Sequence, residues 1–356
     1  MGRPKLCGEC GVPLRVSKEV VWHDNGVITQ ARDENHRMLF YESDNLDRLF
    51  RGIEEMIGLP IEHIIIESKR RVTKEYVERL IPAPVRKLLY VFRPSLIINM
   101  VSATGRSYGY GDIKLEEMRK RRDEGDYTKM LIRDPYSILF FTGDLVGAFE
   151  AVDGREFQAS YRKVGEGEAY EVVGKVGKHP IELQERLKPR EYPRKPGDVR
   201  FERCGRCGLP REVGKFRWDL ERGLIINPET GRRMAIFGPA GFEAIMDDLE
   251  AELGETIPEV IVEAQRRFVK DRLREEDWRR SPGHFKRMMA LRGLGNITEL
   301  QISGERLHVV IENPCLTLLA VGMVKGLYEL AMGLERTEHS WERTAEGDLE
   351  ITIKAT

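Results

Sequence analysis

The strongest constraint on this chain is that it is written twice. CGECGVPL (Cys7–Leu14) returns 197 positions later as CGRCGLPR (Cys204–Arg211). Arg37-Met38 returns as Arg233-Met234 at an offset of 196, and at the same offset Glu67, Arg70, Arg71 and Lys74 return as Glu263, Arg266, Arg267 and Lys270. The offset falls to 184 for Gly109 and Gly111 against Gly293 and Gly295, and to 179 for Pro135 against Pro314. The second copy is therefore shorter by about 18 residues in its middle. Matches in a fixed order, with gaps confined to one place, are the signature of an internal repeat. They divide the chain into a first repeat at 1–186, a linker at 187–203 and a second repeat at 204–356. The linker carries Pro189, Pro193 and Pro196 among charges and reads as a stiff spacer.

Both copies give one coarse pattern, so the expected class is α+β. A CxxCG knuckle opens into a hairpin, VVWHDNGVIT or FRWDLERGLII, with Asn25-Gly26 as a tight-turn signal. Asp44 or Asn45 can cap a helix running to about Ile57 and ended by Gly58. A second helix spans Glu62–Leu80, with Val72, Tyr76 and Leu80 on one face. A third apolar segment runs from Val85 to about Ala103, broken at Arg93-Pro94. ITELQISGERLHVVIEN alternates at period two and reads as a pair of strands. Pro135 and Pro314 are placed to open a last apolar helix. A terminal hairpin closes each unit, around Gly165-Glu166-Gly167 and Glu346-Gly347.

Four of the five cysteines sit in the two knuckles. Two Cys spaced by two residues reach one metal ion, and zinc takes about four such ligands. Each copy supplies half a site. The knuckles can meet in one four-cysteine site, each can recruit other residues, or both can stay metal-free turns. Copy one offers His23, Asp24 and His36, and copy two has no His in the equivalent stretch. A redox pair of the thioredoxin kind is disfavoured, because neither knuckle follows a strand of a βαβ unit.

Other chemistry is sparse. Lys69-Arg70-Arg71 and Arg266-Arg267 carry Glu67 and Glu263 four residues before Arg71 and Arg267, an ion-pair spacing that reads as a solvated helix face. The glycines at 105, 109 and 111 form no dinucleotide or Walker motif and read as a helix end and turn. Cys315 is matched by Tyr136 and reads as a small buried residue. His63, His179, His284, His308 and His339 lack partners at triad or ligand spacing, so catalysis receives little support. Lys plus Arg number 58 against 59 Asp plus Glu, a net charge of −1. A general polyanion binder would carry excess positive charge, so nucleic acid is a disfavoured partner. No apolar run approaches the roughly 18 residues of a membrane helix. The expectation is a cytoplasmic chain with reduced thiols.

The helices after the two prolines, PYSILFFTGDLVGAFEAVDG and PCLTLLAVGMVKGLYELAMG, share a GxxxG spacing (Gly143/Gly147 and Gly322/Gly326) that permits close packing. With their trailing acids, Glu150 and Glu329, and the terminal hairpins, they resemble the 4-vinyl reductase or hydrocarbon-binding domain, related to subunits of the TRAPP tethering complex. The likeness covers roughly the last 75 residues of each copy. It implies an α+β fold, dimer-like pairing and a pocket for a small hydrophobic or aromatic effector. The hairpins here hold Glu171 and Glu350 but lack the family's cysteines, so any metal must use the knuckles.

Together these observations predict an intramolecular pseudo-dimer of two α+β units with zinc-ribbon-like heads. One zinc is expected on Cys7, Cys10, Cys204 and Cys207. A pocket is expected at Leu139, Phe140 and Phe149, or at Leu318, Leu319 and Tyr328. The expected role is binding a small hydrophobic molecule as a sensor or accessory protein, with a protein partner possible, as a monomer or homodimer. A nucleic-acid-associated zinc regulator and an assembly factor for an enzyme complex are the alternatives.

Overall fold

The computed structural model describes residues 5–86, 94–179, 194–272 and 282–356. Arg93 at the expected helix break, and Pro189 and Pro193 of the linker, lie outside them. The class is α+β, as expected. In the first half, α1 (Leu14–Glu19) follows the knuckle and leads into β1 (Val20–Trp22), β2 (Ile28–Gln30) and β3 (Asp33–Glu42). Then come α2 (Leu46–Ile57), α3 (Glu62–Leu80) and α4 (Pro94–Tyr108). A hairpin of β4 (Asp112–Arg119) and β5 (Tyr127–Arg133), helix α5 (Ile138–Asp153) and a hairpin of β6 (Phe157–Lys163) and β7 (Ala169–Val176) complete it. The second half supplies β8 (Arg217–Asp219), β9 (Leu224–Ile226), β10 (Arg233–Phe237), α6 (Ala240–Leu253), α7 (Ile257–Arg272) and α8 (Pro282–Leu291). It ends with β11 (Asn296–Ile302), β12 (Arg306–Glu312), α9 (Thr317–Met332), β13 (Thr337–Arg343) and β14 (Leu349–Ala355).

The two body sheets have matching strand orders, β4-β5-β7-β6 and β11-β12-β14-β13. The third sheet joins the halves in the order β1-β2-β3-β10-β9-β8. Its central pair is antiparallel, with Phe40 opposite Ile236, which lies 196 positions on in the sequence. Each head hairpin then reaches over the other half's body. Gly295 N–H donates to Gly26 O at 3.2 Å, and Gly111 N–H donates to Gly223 O at 3.0 Å. Arg37 donates to the carbonyls of Gly293, Asn313 and Pro314, while Arg233 donates to those of Asp134 and Pro135. Helix α3 packs on α5 of its own half and on α6 of the other, and α2 packs on α7. One large apolar cluster consequently draws residues from both halves.

The GxxxG helices pack as closely as their glycines permit. A Cβ on Gly143 would lie 2.7 Å from Ile66 O, and one on Gly322 would lie 2.5 Å from Val262 O. Helix α3 departs from expectation. Lys69, Arg70 and Arg71 are buried rather than solvated, because α5 and α6 both cover this face. Lys69 Nζ lies 3.1 Å from Asp144, Arg70 pairs with Glu67 and with Glu150 (2.5 Å), and Arg71 pairs with Asp248 across the halves. Leu80, on the face shared with Val72 and Tyr76, is exposed at 54%. Asn45 does not cap α2 with its side chain; it reaches Tyr41 and Gln265 instead. Pro135 and Pro314 precede their helices by three residues, Ser137 being the cap of α5. The turn at Asn25-Gly26 is wider than a two-residue hairpin, since β1 ends at Trp22 and β2 begins at Ile28.

Glu150 and Glu329, both fully buried, lie in the last turn of the two packed helices. Glu150 faces Arg70, Lys74 and His179, whose Nε2 lies 3.0 Å away, and accepts the Phe157 N–H. Burial pushes its carboxyl up, but His179, the Phe157 N–H and Arg70 outweigh this and hold it below the usual range. Glu329 accepts from Arg266 (2.7 Å), Lys270 and Thr337.

Two measurements check this packing. Gly143→Ala and Gly326→Ala are each expected to cost about 1–3 kcal/mol in urea unfolding, whereas Gly304→Ala, beside open space, stays within about 0.5 kcal/mol. Equal effects at all three sites would contradict the close helix contacts. Glu150→Gln is expected to cost about 3 kcal/mol at pH 7, because it leaves buried cations short of a partner. The depressed Glu150 stabilises the fold fully above the unfolded glutamate value of about 4.3 and loses that contribution as pH falls through the folded value. The urea midpoint of Glu150→Gln should therefore fall less steeply than that of the parent between neutral and acid pH.

Candidate metal centre

Each knuckle is a backbone turn closed by its own hydrogen bonds. Cys7 N–H donates to Val12 O at 2.8 Å and Gly11 N–H to Cys7 O at 2.9 Å. Cys204 N–H donates to Leu209 O at 2.8 Å and Gly208 N–H to Cys204 O at 2.9 Å. The glycine after the second cysteine is left-handed in both, at φ 74° and 75°, which is why the motif continues into Gly. Bridges Leu6–Pro13 and Arg203–Pro210 anchor the two turns to the chain on either side.

The crossing of the heads brings the knuckles face to face. Cys7 Sγ lies 3.7 Å from Cys204 Sγ, and Cys10 Sγ lies 3.5 Å from Cys207 Sγ. All four sulfurs fall within 4.8 Å of one another, close enough to hold a metal ion. Four sulfurs at about 2.3 Å from a tetrahedral ion would stand about 3.8 Å apart, so the set fits. Cys7 and Cys204 are buried and Cys10 and Cys207 half-buried. The residue before the second cysteine of each pair crosses to the other turn. Glu9 accepts from Gly205 N–H (3.2 Å) and Arg211 (3.0 Å), and Arg206 lies over Gly8.

The thiols respond unequally to this environment. The backbone N–H groups of Cys10 and Glu9 aim at Cys7 and bring its thiol down to about 6, whereas burial pushes Cys10 up and Cys207 up to about 12. Sulfurs this close cannot all ionise alone, and a bound cation would supply the missing charge.

The other ligands considered lie apart from the cluster. His23 bonds Thr29 at 2.8 Å, Asp24 pairs with Arg203 at 2.9 Å, and His36 lies over Tyr76 with its ring lowered to about 4 by burial and Arg79. Cys315 is fully buried, its thiol pushed up to about 12 by burial, as a small core residue would be.

Of the residues expected to line a pocket, Leu318 and Leu319 border a cavity. Leu139, Phe140 and Phe149 are buried, and Phe140 sits among Phe50, Tyr136, Phe237 and Phe242 in the shared core. Tyr328 is buried with its hydroxyl on Ser303 O at 2.9 Å. Leu318 and Leu319 line a cavity of about 520 Å³ at the start of α9. The buried ion pairs of α3 were legible only as an anomaly, a single Glu trailing each apolar helix with an Arg matched in both copies. No family model matches this sequence, and no curated protein matches it.

Proposed function

We propose that the chain is a tandem duplication folded back on itself, stapled by one zinc ion on Cys7, Cys10, Cys204 and Cys207. In this reading it binds a small hydrophobic or aromatic molecule as a sensor or accessory protein in a reducing, cytoplasmic setting. The observation that carries the reading is the convergence of four thiols from two positions 197 residues apart. Four sulfurs fill a tetrahedral shell and leave no open position for substrate, so the metal would be structural. The matched strand orders and the crossed heads support the duplication, and the resemblance of the last helix and hairpin to 4-vinyl reductase domains belongs to the same reading.

The cavity beside Leu318 and Leu319 supports ligand binding, and its walls come from both halves, since Arg37 lies on β3. A ligand seated there would favour the docked arrangement over an opened one by its differential contacts. A nucleic-acid role draws no support from Lys69, Arg70 and Arg71, which are buried and ion-paired. Among the described residues no helix is long and apolar enough to cross a membrane.

Metal analysis of protein purified under reducing, chelator-free conditions is expected to return one zinc per chain, lost when Cys204 and Cys207 are both changed to Ser. Chelation should expose the contact between halves to protease before the cores melt. Two zincs per chain, or full occupancy in the double variant, would contradict the shared site.

A further inference from the structure

Two basic side chains meet in the second half where the first half is apolar. Lys325 of α9 and His339 of β13 stand at the places of Val146 and Ala159. Lys325 Nζ lies 3.2 Å from His339 Nδ1, and His339 Nε2 lies 3.3 Å from Glu259 Oε2 of α7. Glu259 stands where the first half has His63, so all three members are particular to the second half. His339, isolated in the sequence, gains both partners only because α7 and β13 pack on α9.

The two contacts fix where the protons sit. A carboxylate at Nε2 favours the tautomer protonated there, which leaves the Nδ1 lone pair facing Lys325. Among the described residues no carboxylate lies within ion-pair distance of the Lys325 ammonium, and the imidazole is its hydrogen-bond partner. Burial lowers Lys325 from its ordinary value, and burial together with the Lys325 charge lowers His339. A nucleophile touching a base whose far side meets a carboxylate is how nucleophiles are activated, and a desolvated lysine beside a second basic group is one form of it. The cluster also adjoins the cavity at the start of α9. Leu318 lies two helical turns before Lys325, Trp341 follows His339 on the same face of β13, and Pro258 precedes Glu259; all three line that cavity.

We propose that Lys325 is a covalent site for a carbonyl compound, an aldehyde or ketone with an apolar body over Leu318 and Trp341, with His339 as its acid–base partner and Glu259 positioning the imidazole. His339 Nδ1 takes a proton from the Lys325 ammonium, and the free amine attacks the carbonyl carbon. The alkoxide takes a proton from the attacking nitrogen, the imidazolium protonates the resulting hydroxyl, and water leaves. A protonated imine and one water result, His339 ends neutral as it began, and no electrons are exchanged. The seating of the apolar body rests on the ligand-binding reading above; the reaction at Lys325 rests on the three side chains.

The test adds 3-phenylpropanal and cyanoborohydride to the full chain at pH 7, which reduces each imine to a stable secondary amine, and follows each lysine by peptide mass spectrometry. Lys215, exposed on the second head, is the internal reference. Lys325 is expected to react at least about tenfold faster than Lys215. His339→Ala should slow Lys325 at least about tenfold with Lys215 unchanged, in a protein whose far-UV circular dichroism matches the parent, and added imidazole should restore part of the rate. Glu259→Gln should slow Lys325 by a smaller factor, and Glu259→Asp should recover part of that loss. If Lys325 reacts no faster than Lys215, or if His339→Ala changes nothing, the covalent site is wrong. Calorimetry with 3-phenylpropanol, which forms no imine, reads the cavity separately: binding keeps the ligand-binding reading even if the chemistry fails, and no binding overturns that reading.

Discussion

Strand β3 carries a run, Met38-Leu39-Phe40-Tyr41, whose four side chains are all buried. A strand covered on both faces cannot leave its edge open to water, and in this chain the edge is filled by Met234-Ala235-Ile236-Phe237 of β10. The remaining geometry descends from that pairing. Because Phe40 faces Ile236, an approximate twofold relation passes through the middle of the six-stranded sheet. Each head is thereby carried over the opposite body, where Trp22 donates to Leu291 O at 2.9 Å and Glu42 pairs with Arg292. The knuckles project from the same sheet on either side of the relation, so their sulfurs meet.

The two halves are not equivalent where helices cross between them. At one crossing Ser68 and Arg71 of α3 both engage Asp248 of α6. At the corresponding crossing Ala264 of α7 lies against Gly52 of α2, with a Cβ on Gly52 only 3.6 Å from the Ala264 side chain. One contact is ionic and the other is steric. Asn45 and Gln265 bond each other, whereas their counterparts are Gly241 and Lys69, the lysine lying against the glycine. Glu9 and Arg206, at equivalent points of the two knuckles, carry opposite charges. Glu9 pairs with Arg211, whose counterpart in the first half is Leu14, so two first halves would lose that ion pair and pairing within the chain is favoured.

Much of this was legible from residue order alone. The span of α3, the paired strands β11 and β12, the close GxxxG helices and the approach of the four cysteines were all readable from local pattern and from the matched order of residues. What could not be read was which half each element packs against. Lys69-Arg70-Arg71 carry the spacing of an exposed face, and only the arrival of α6 from the other half turns them into buried, paired charges. Asn45 has the chemistry of a cap, but Gln265, 220 residues away, is a better partner once the halves dock. The pocket residues differ for the same reason: Phe140 is enclosed by Phe237 and Phe242 of the second half, while Leu319 lines a cavity. Long-range docking overrode local propensity at each of these sites.

The central claim is that one ion joins two distant knuckles through sulfur alone. X-ray absorption at the metal edge of the purified full chain tests it most directly. The account predicts a single shell of four sulfurs at about 2.3 Å, with the ion identified as zinc by its edge. A shell containing nitrogen or oxygen ligands, or fewer than four sulfurs, would mean that each knuckle completes its own site, and the shared staple would have to be abandoned.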